Sequence, residues 1–240
     1  MARGFRKIAV LIFLVFGLSA AYASGKTEPP VIEYGTDGRV TITQSVAKFN
    51  KLRINITGTV RYHVSPENRV VIQADSGPAE NVVVDSDFNT LKITMNKKMP
   101  DSFAPQDLDI DIYGPHIGEI TITGTGSLEL TDKIITPSMK IKLDGTGSLD
   151  GSIDSESLDI KITGTGTMRV AGRGGRSKIS IMGSGIFAGS QFETRRAVCR
   201  ITGDGAIEIG VSEFIKGTIS GPGIITYHGN PRTKNIDRYR

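Results

Sequence analysis

The sequence has few of the residues on which cross-links, metal centres and sugar-stacking platforms are built. Among its 240 residues there are one cysteine, three histidines and no tryptophan, and aromatic residues make up 6%. A single cysteine excludes a disulfide framework and a thiolate zinc cluster. The few aromatic residues disfavour a platform on which sugars stack. Stability must therefore come from an apolar core, and a chain of this length with 38% hydrophobic residues can form one.

The first 23 residues have the pattern of an export signal. Three basic residues precede an apolar run at 8–16, and small residues follow up to A-Y-A at 21–23. This order is typical of a secretory signal peptide, and the apolar run is shorter than the ~20 residues of a membrane-spanning helix. The sequence predicts cleavage between Ala23 and Ser24, with no membrane span in the mature chain. The predicted location is the periplasm, the cell surface or the extracellular space.

Positive charge is concentrated at the two ends of the chain. The formal net charge of +4 includes the three basic residues of the signal, and four more lie in the last ten residues against one acid. Between the ends, the sequence shows no basic stripe with interleaved aromatic residues. We therefore expect no nucleic-acid partner. The sequence also predicts a polar lead-in at 24–38 and a basic tail at 231–240, both mobile.

A repeat of about 20 residues dominates the chain beyond residue 115. Each of its six copies has a Gly-x-Gly corner between two short runs in which apolar and polar residues alternate. The first glycines of these corners are Gly124, Gly145, Gly164, Gly183, Gly203 and Gly221. The alternation has the period of strands with one buried face, and a repeat of this length indicates a solenoid. A strand rather than a helix follows each corner, so the glycines do not form a phosphate-binding loop.

The pattern predicts an all-β fold, a right-handed parallel β-helix with about 20 residues per coil. Coils stacked at the strand spacing of ~4.8 Å would place each inward residue on its counterpart in the next coil. Residues 39–115 contain further strand-like segments at irregular spacing, which we expect to form the first coils and a cap over one end. The predicted domain spans 39–230, with irregular coils at 39–115 and Gly-x-Gly coils at 116–230.

Several stretches resemble the head GIN domain family of exported bacterial proteins, described as auto-transporter adhesins and otherwise of unknown function. The resemblance rests on FNKLRINITGTVRYHV, RVVIQADS, NVVVDSDFNTLKITM, LDIDIYGP, the Gly-x-Gly coils and ITYHGNPR. Together these stretches span about residues 40–232. The resemblance implies a β-helical exported domain with a surface or adhesive role. It supplies no catalytic residues.

Two carboxylates are candidates for chemistry. Glu129 and Asp150 occupy the same outward position in the first two repeats, so they are expected about one strand spacing apart. Carboxylates about 5 Å apart are the arrangement of a retaining glycosidase. Arg169 follows at the same position of the third repeat, and opposite charges on neighbouring strands equally suit a solvated stabilising ladder.

Arginines form a second candidate surface. Arg173 and Arg176, together with Arg195 and Arg196 one coil later, would form either a basic edge for acidic glycans or a solvated loop. Cys199 takes a position that isoleucine holds in other repeats and is expected to be a buried hydrophobe rather than a nucleophile. The sequence thus predicts no catalytic residue, no cofactor and no metal site.

The sequence favours an exported, non-enzymatic envelope or surface protein with an adhesive or ligand-binding role. Its partner would be a glycan or a cell-surface protein, recognised by a repetitive polar surface. Two alternatives remain. One is a polysaccharide-cleaving β-helix that uses the stacked carboxylates. The other is a structural envelope protein that self-associates through its strand edges.

Overall fold

The computed structural model describes residues 29–36, 38–96 and 108–239. Strands make up 75% and helix 3% of the structure, and parallel coils of about 19 residues stack into a β-solenoid of about six turns. The all-β solenoid prediction is therefore confirmed. The predicted signal peptide and its cleavage between Ala23 and Ser24 lie outside the described residues. Within the described ranges, no helix is both long and apolar enough to cross a membrane.

Seventeen strands and one short helix form the described structure. Their bounds are β1 (Val31–Tyr34), β2 (Arg39–Ser45), β3 (Lys51–Asn55), β4 (Thr59–Val64), β5 (Arg69–Asp75), α1 (Ser76–Asn81), β6 (Val82–Asp87), β7 (Thr90–Met95), β8 (Leu108–Gly114), β9 (Glu119–Gly124), β10 (Ser127–Leu130), β11 (Ile134–Gly145), β12 (Ser148–Gly164), β13 (Thr167–Gly183), β14 (Ile186–Thr202), β15 (Ala206–Ser220), β16 (Ile224–His228) and β17 (Thr233–Tyr239).

Each regular coil has three sides, named faces A, B and C, and on each side the strands of successive coils pair in parallel. In β12, face A comprises 148–151, face C 153–157 and face B 158–164, and β13 follows β12 in register along all three. From β12, face A continues through β10, β4 and β8, whereas face B continues through β11, β9, β3 and β7. Sequence analysis predicts only two strands per coil, because the segments of face C carry glycines and charges that hide the alternation.

Stacked aliphatic side chains form the core between the faces. On the inner side of face B, Leu143, Ile162 and Ile181 lie on neighbouring strands in register and have no exposed surface. Full burial of one such side chain contributes about 1.5–3 kcal/mol. Cys199 continues the adjacent inward ladder after Ile179, as expected for a small hydrophobe.

The Gly-x-Gly corners lock successive coils together. The carbonyl oxygen of Gly145 accepts hydrogen bonds from the N–H groups of Thr165 and Gly166, both at 3.0 Å. Gly164 has φ +103°, and a Cβ atom there would lie 2.6 Å from the same oxygen. Two separate constraints therefore require glycine at this position: the backbone conformation and the close approach of the neighbouring coil.

The first coils do not follow chain order. Strand β3 lies between β7 and β9 on face B, and β4 lies between β8 and β10 on face A. The chain reaches the outer coil through β5, α1 and β6, of which β5 and β6 are antiparallel to their neighbours β8 and β7. Ala79 of α1 is buried in the core. The outer end of the solenoid is thus built from antiparallel strands and a six-residue helix that sequence analysis does not predict.

Both ends of the domain extend beyond the predicted boundaries. Residues 233–239, expected to be part of a mobile basic tail, form β17 and pair in parallel with β15. The Arg238 guanidinium donates hydrogen bonds to the carbonyl oxygens of Gly221 and Gly223, both at 2.9 Å. In the predicted lead-in, β1 pairs antiparallel with β2. Ile236 is the single apolar residue in the middle of β17, so the sequence of β17 shows little of the alternation that predicts a strand.

Replacement of Gly164 by alanine should lower the free energy of unfolding by at least about 2 kcal/mol, since the substitution combines backbone strain with a clash against Gly145. Urea denaturation measures the change. Gly77→Ala is the matched control, because a Cβ atom at Gly77 would meet nothing within 4 Å. Equal stability of the two variants would contradict a structural role for the corner.

Candidate functional site

Outward side chains form straight columns along the solenoid. Because strands pair in register and side chains alternate, each outward residue lies beside the equivalent residue of the next coil. The central column of face A contains Asp111, Arg61, Glu129, Asp150 and Arg169 in this spatial order. The structure therefore brings together Glu129 and Asp150 on adjacent strands, as expected from the sequence.

The carboxylate pair belongs to a charge ladder. Arg61 lies on one side of it, with its Nε 4.0 Å from Glu129 Oε2 and its Nη2 2.8 Å from Asp109 Oδ1. Arg169 lies on the other side, in register with Asp150. The two surface depressions described below are lined by other residues. An arginine therefore lies on each outer side of the two adjacent carboxylates, and opposite charges on neighbouring strands stabilise a sheet surface.

His63 belongs to a compact polar cluster at the end of face A. Its Nε2 lies 2.8 Å from Asp111 Oδ1 and its Nδ1 3.0 Å from Thr131 Oγ1. The imidazole stacks on Tyr113 at 4.6 Å, and the Arg69 guanidinium lies 4.0 Å from the centre of the same tyrosine ring. Every group thus has a partner within the cluster, which ties β4, β5 and β8 together. The sequence does not reveal this cluster, because the hydrogen-bond partners of His63 are 48 and 68 positions away along the chain.

The four candidate arginines separate into two environments. In register, Arg173 lies between Asp154 and Glu193, and its backbone N–H donates to Asp154 Oδ1 at 2.9 Å. A depression of about 420 Å³ at this place also contains Lys133, so acids and bases alternate there. Arg195 forms an ion pair with Glu156 at 2.6 Å.

Arg176 has a different neighbour. It lies in register with Arg196, whose guanidinium is 4.7 Å from the centre of the Phe214 ring. The structure therefore brings together Arg176 and Arg196, and it places Arg173 and Arg195 beside carboxylates.

Face B carries a basic column that sequence analysis does not predict. Its outward residues, in spatial order, are Lys92, Arg53, Thr121, Lys142, Lys161, Ser180, Arg200 and Thr218. A shallow depression of about 390 Å³ lies over the first four of these strands. The repeat itself aligns Lys142, Lys161 and Arg200 three positions before their corners, but Arg53 and Lys92 lie outside the repeat. These two residues join the column only because β3 stacks on β9 and β7 stacks on β3.

Residues 48–231 match the family described as "Putative auto-transporter adhesin, head GIN domain". The chain belongs to this head GIN domain family. The match covers most of the solenoid, from the residues before β3 to those after β16. The family resemblance of the sequence is therefore confirmed. No curated protein is similar enough to this head GIN domain chain to count as a match.

Solved structures of similar fold include proteins from Bacteroides fragilis and Parabacteroides distasonis. A putative adhesin from Bacteroides fragilis has a TM-score of 0.76 at 20% identity, over 83% of this chain and 93% of that one. A putative adhesin from Parabacteroides distasonis has a TM-score of 0.69 at 15% identity, over 84% and 94% of the two chains. A putative lipid binding protein from the same species has a TM-score of 0.64 at 18% identity, over 86% and 98%. At these identities the similarity shows the fold.

The single thiol of this head GIN domain is enclosed in the core. Cys199 is 1% exposed, and it lies in register with Ile179 on one side and Gly217 on the other. Burial raises the pKa of the Cys199 thiol to about 12. The thiolate, which is the nucleophilic form, is therefore suppressed in the folded protein.

Cys199 should not react with a thiol reagent such as Ellman's reagent in the folded protein, even at pH 9, where an exposed thiol is largely ionised. One thiol per chain should react after denaturation in guanidinium chloride. Absorbance of the released chromophore gives both values. Rapid reaction of the native protein would show that the core ladder around Cys199 is open to solvent.

Proposed function

We propose that this protein is a non-enzymatic surface protein that binds a glycan or a cell-surface protein through the outward columns of its solenoid. The observation that carries the proposal is the strict register of outward polar side chains, such as Lys142 beside Lys161 and Asp150 beside Arg169. The family description as an adhesin supports the same role. Export, for which residues 1–23 provide the expected signal, would place these columns outside the cytoplasm.

The rigidity of the columns favours binding. Strands of the solenoid are fixed by their neighbours on both sides, so a ligand would order side-chain ends but little backbone, which lowers the entropic cost of association. A repeating ligand can contact several coils at once, and weak contacts then add up to a higher overall affinity. Linear glycans are such repeating ligands.

Polysaccharide cleavage is the second candidate function. The adjacency of Glu129 and Asp150 favours it. The flanking Arg61 and Arg169 favour the non-enzymatic function, since both carboxylates then have a structural role as members of a charge ladder.

Self-association is a third possibility. Within the described residues, β16 pairs only with β15, and Ile224 at its start is 58% exposed. An unpaired strand edge is a template for another chain. Size measurements across a dilution series would detect such an assembly as concentration-dependent oligomers.

The purified full chain should bind a subset of a broad glycan array saturably, and the same glycans should be recovered uncleaved. Mass spectrometry of the glycans after incubation checks for cleavage. Cleavage products that disappear in Glu129→Ala/Asp150→Ala would replace the proposal by the enzymatic function. Asp204→Ala/Glu213→Ala is the control variant, because both of its residues are exposed carboxylates outside the face A column. Failure to bind any glycan or any cell-surface protein would contradict the binding role itself.

A further inference from the structure

We propose that face B is a binding surface for extended acidic polysaccharides. The proposal rests on the surface-binding function above and adds the ligand class and the face that takes it. Its core is the basic column of face B, whose cations come from β7, β3, β11, β12 and β14. At ~4.8 Å per strand, the row from Lys92 to Arg200 extends over about 29 Å.

The central strands of face B have a strong positive excess, whereas the edge strands β6 and β17 add the carboxylates Asp85, Asp87 and Asp237. Over β3, β7, β9 and β11 to β15, the three outward columns of this face hold nine cations against three carboxylates, a net charge of +6. The cations are Lys51, Arg53, Lys92, Lys140, Lys142, Lys161, Lys178, Arg200 and Lys216. The carboxylates are Glu119, Asp144 and Asp159. The formal charge of the whole chain is only +4, so positive charge is concentrated on these central strands.

Cations at the centre of the basic column have no acidic partner. Among the described residues, no ion pair within 4.0 Å and no side-chain hydrogen bond involves Arg53, Lys142, Lys161 or Arg200. Lys92, at the end of the row, pairs with Asp85 at 3.3 Å. On face A, by contrast, Arg61 contacts Asp109, Asp111 and Glu129. The fold thus pairs Arg61 on face A with carboxylates and leaves the central cations of the basic column unpaired, which is the condition for recruiting an external polyanion.

The depression on face B adds hydrogen-bonding groups to these charges. Its lining includes Arg53, Lys92 and Lys142 from the basic column, against the two carboxylates Glu119 and Asp144. Asn55 and Thr123, from the column beside the basic column, also line it. Asn55 and Thr123 are exposed. Amides and hydroxyls next to cations suit a ligand that carries both hydroxyl groups and anionic groups, as acidic sugars do.

The spacing of the row favours a polysaccharide over other polyanions. Nucleic acids carry a phosphate every ~3.4 Å per strand, and single strands are held by aromatic side chains on which bases stack. In the described part of face B, the only outward aromatic side chain is Tyr239, on the terminal strand β17. Insertion into lipid needs a broad apolar surface, whereas the exposed large hydrophobic residues in the central part of this face are only Met182 and Val198. A straight row with one cation every one or two strands fits a chain with acidic groups at sugar-unit intervals.

Binding of alginate and heparin to the full chain tests the proposal, with dextran as the neutral polysaccharide. Lys142→Ser/Lys161→Ser/Arg200→Ser removes three cations from the basic column, and serine already occupies this column at Ser180. Lys133→Ser/Arg173→Ser/Arg176→Ser is the matched control: it also removes three cations, but from face C and its depression, and all three are exposed. Circular dichroism confirms that both variants fold.

We expect the wild-type protein to bind alginate and heparin but not dextran, with an affinity that falls as salt rises. The basic-column variant should lose at least about tenfold in affinity, and the control variant should stay within about twofold of wild type. Equal losses in both variants, or a loss in the control alone, would overturn the proposal. Tighter binding to single-stranded DNA or to anionic phospholipid vesicles than to either acidic polysaccharide would overturn it in favour of those ligands.

A footprint on the wild-type protein avoids any effect of substitution on folding. Heparin should protect Lys142 and Lys161 from acetylation and leave Lys133, in the mixed-charge depression of face C, reactive. Protection of Lys133 without Lys142 and Lys161 would contradict a site on face B. Binding to neutral glycans or to a cell-surface protein, with no affinity for acidic polysaccharides, would refute this inference while leaving the proposed function intact.

Discussion

The fold depends on the backbone contact between successive Gly-x-Gly corners. From Gly145 to Gly221, each corner lies so close to the glycine carbonyl of the preceding corner that a side chain cannot be accommodated, and three of these carbonyls accept two N–H groups at once. A contact this tight allows only one alignment of neighbouring coils. Since a shift by one residue would turn every side chain to the opposite face, the corners determine both the apolar core and the outer surface.

The outer surface follows from this alignment. Residues that are about 20 positions apart in sequence become nearest neighbours in a column, so the chemistry of a face is decided by one position of the repeat. On face A the column contains both cations and carboxylates, and Arg61 lies between Asp111 and Glu129 and contacts both. On face B lysine recurs at the same position in two successive coils, and the column stays positive. The same scaffold thus produces one face of mixed charge and one that can attract an anionic partner.

Sequence reasoning predicts what the repeat encodes and misses what the repeat does not contain. Strict alternation around Gly164 and its equivalents is enough to predict the solenoid, the inward ladders and the adjacency of Glu129 and Asp150. The order of the first coils cannot be predicted from the sequence, because β3 and β4 are inserted between strands that follow them in the chain. The full length of the basic column cannot be predicted for the same reason: Arg53 and Lys92 join Lys142 only through that insertion. The strand at residues 233–239 is not predicted, because a mostly exposed strand shows little alternation of apolar and polar residues.

The register of face B is the central claim, and disulfide trapping measures it directly. Lys142→Cys with Lys161→Cys places two thiols in register on neighbouring strands, where the Cα separation of ~4.8 Å is within the range of a disulfide. Lys142→Cys with Thr163→Cys is offset by two residues, which moves the Cα atoms roughly 8 Å apart, beyond that range. We expect rapid, quantitative oxidation of the first pair and none of the second within the native protein. Preferential oxidation of the offset pair would show that the coils stack in another register and that the basic column does not exist as described.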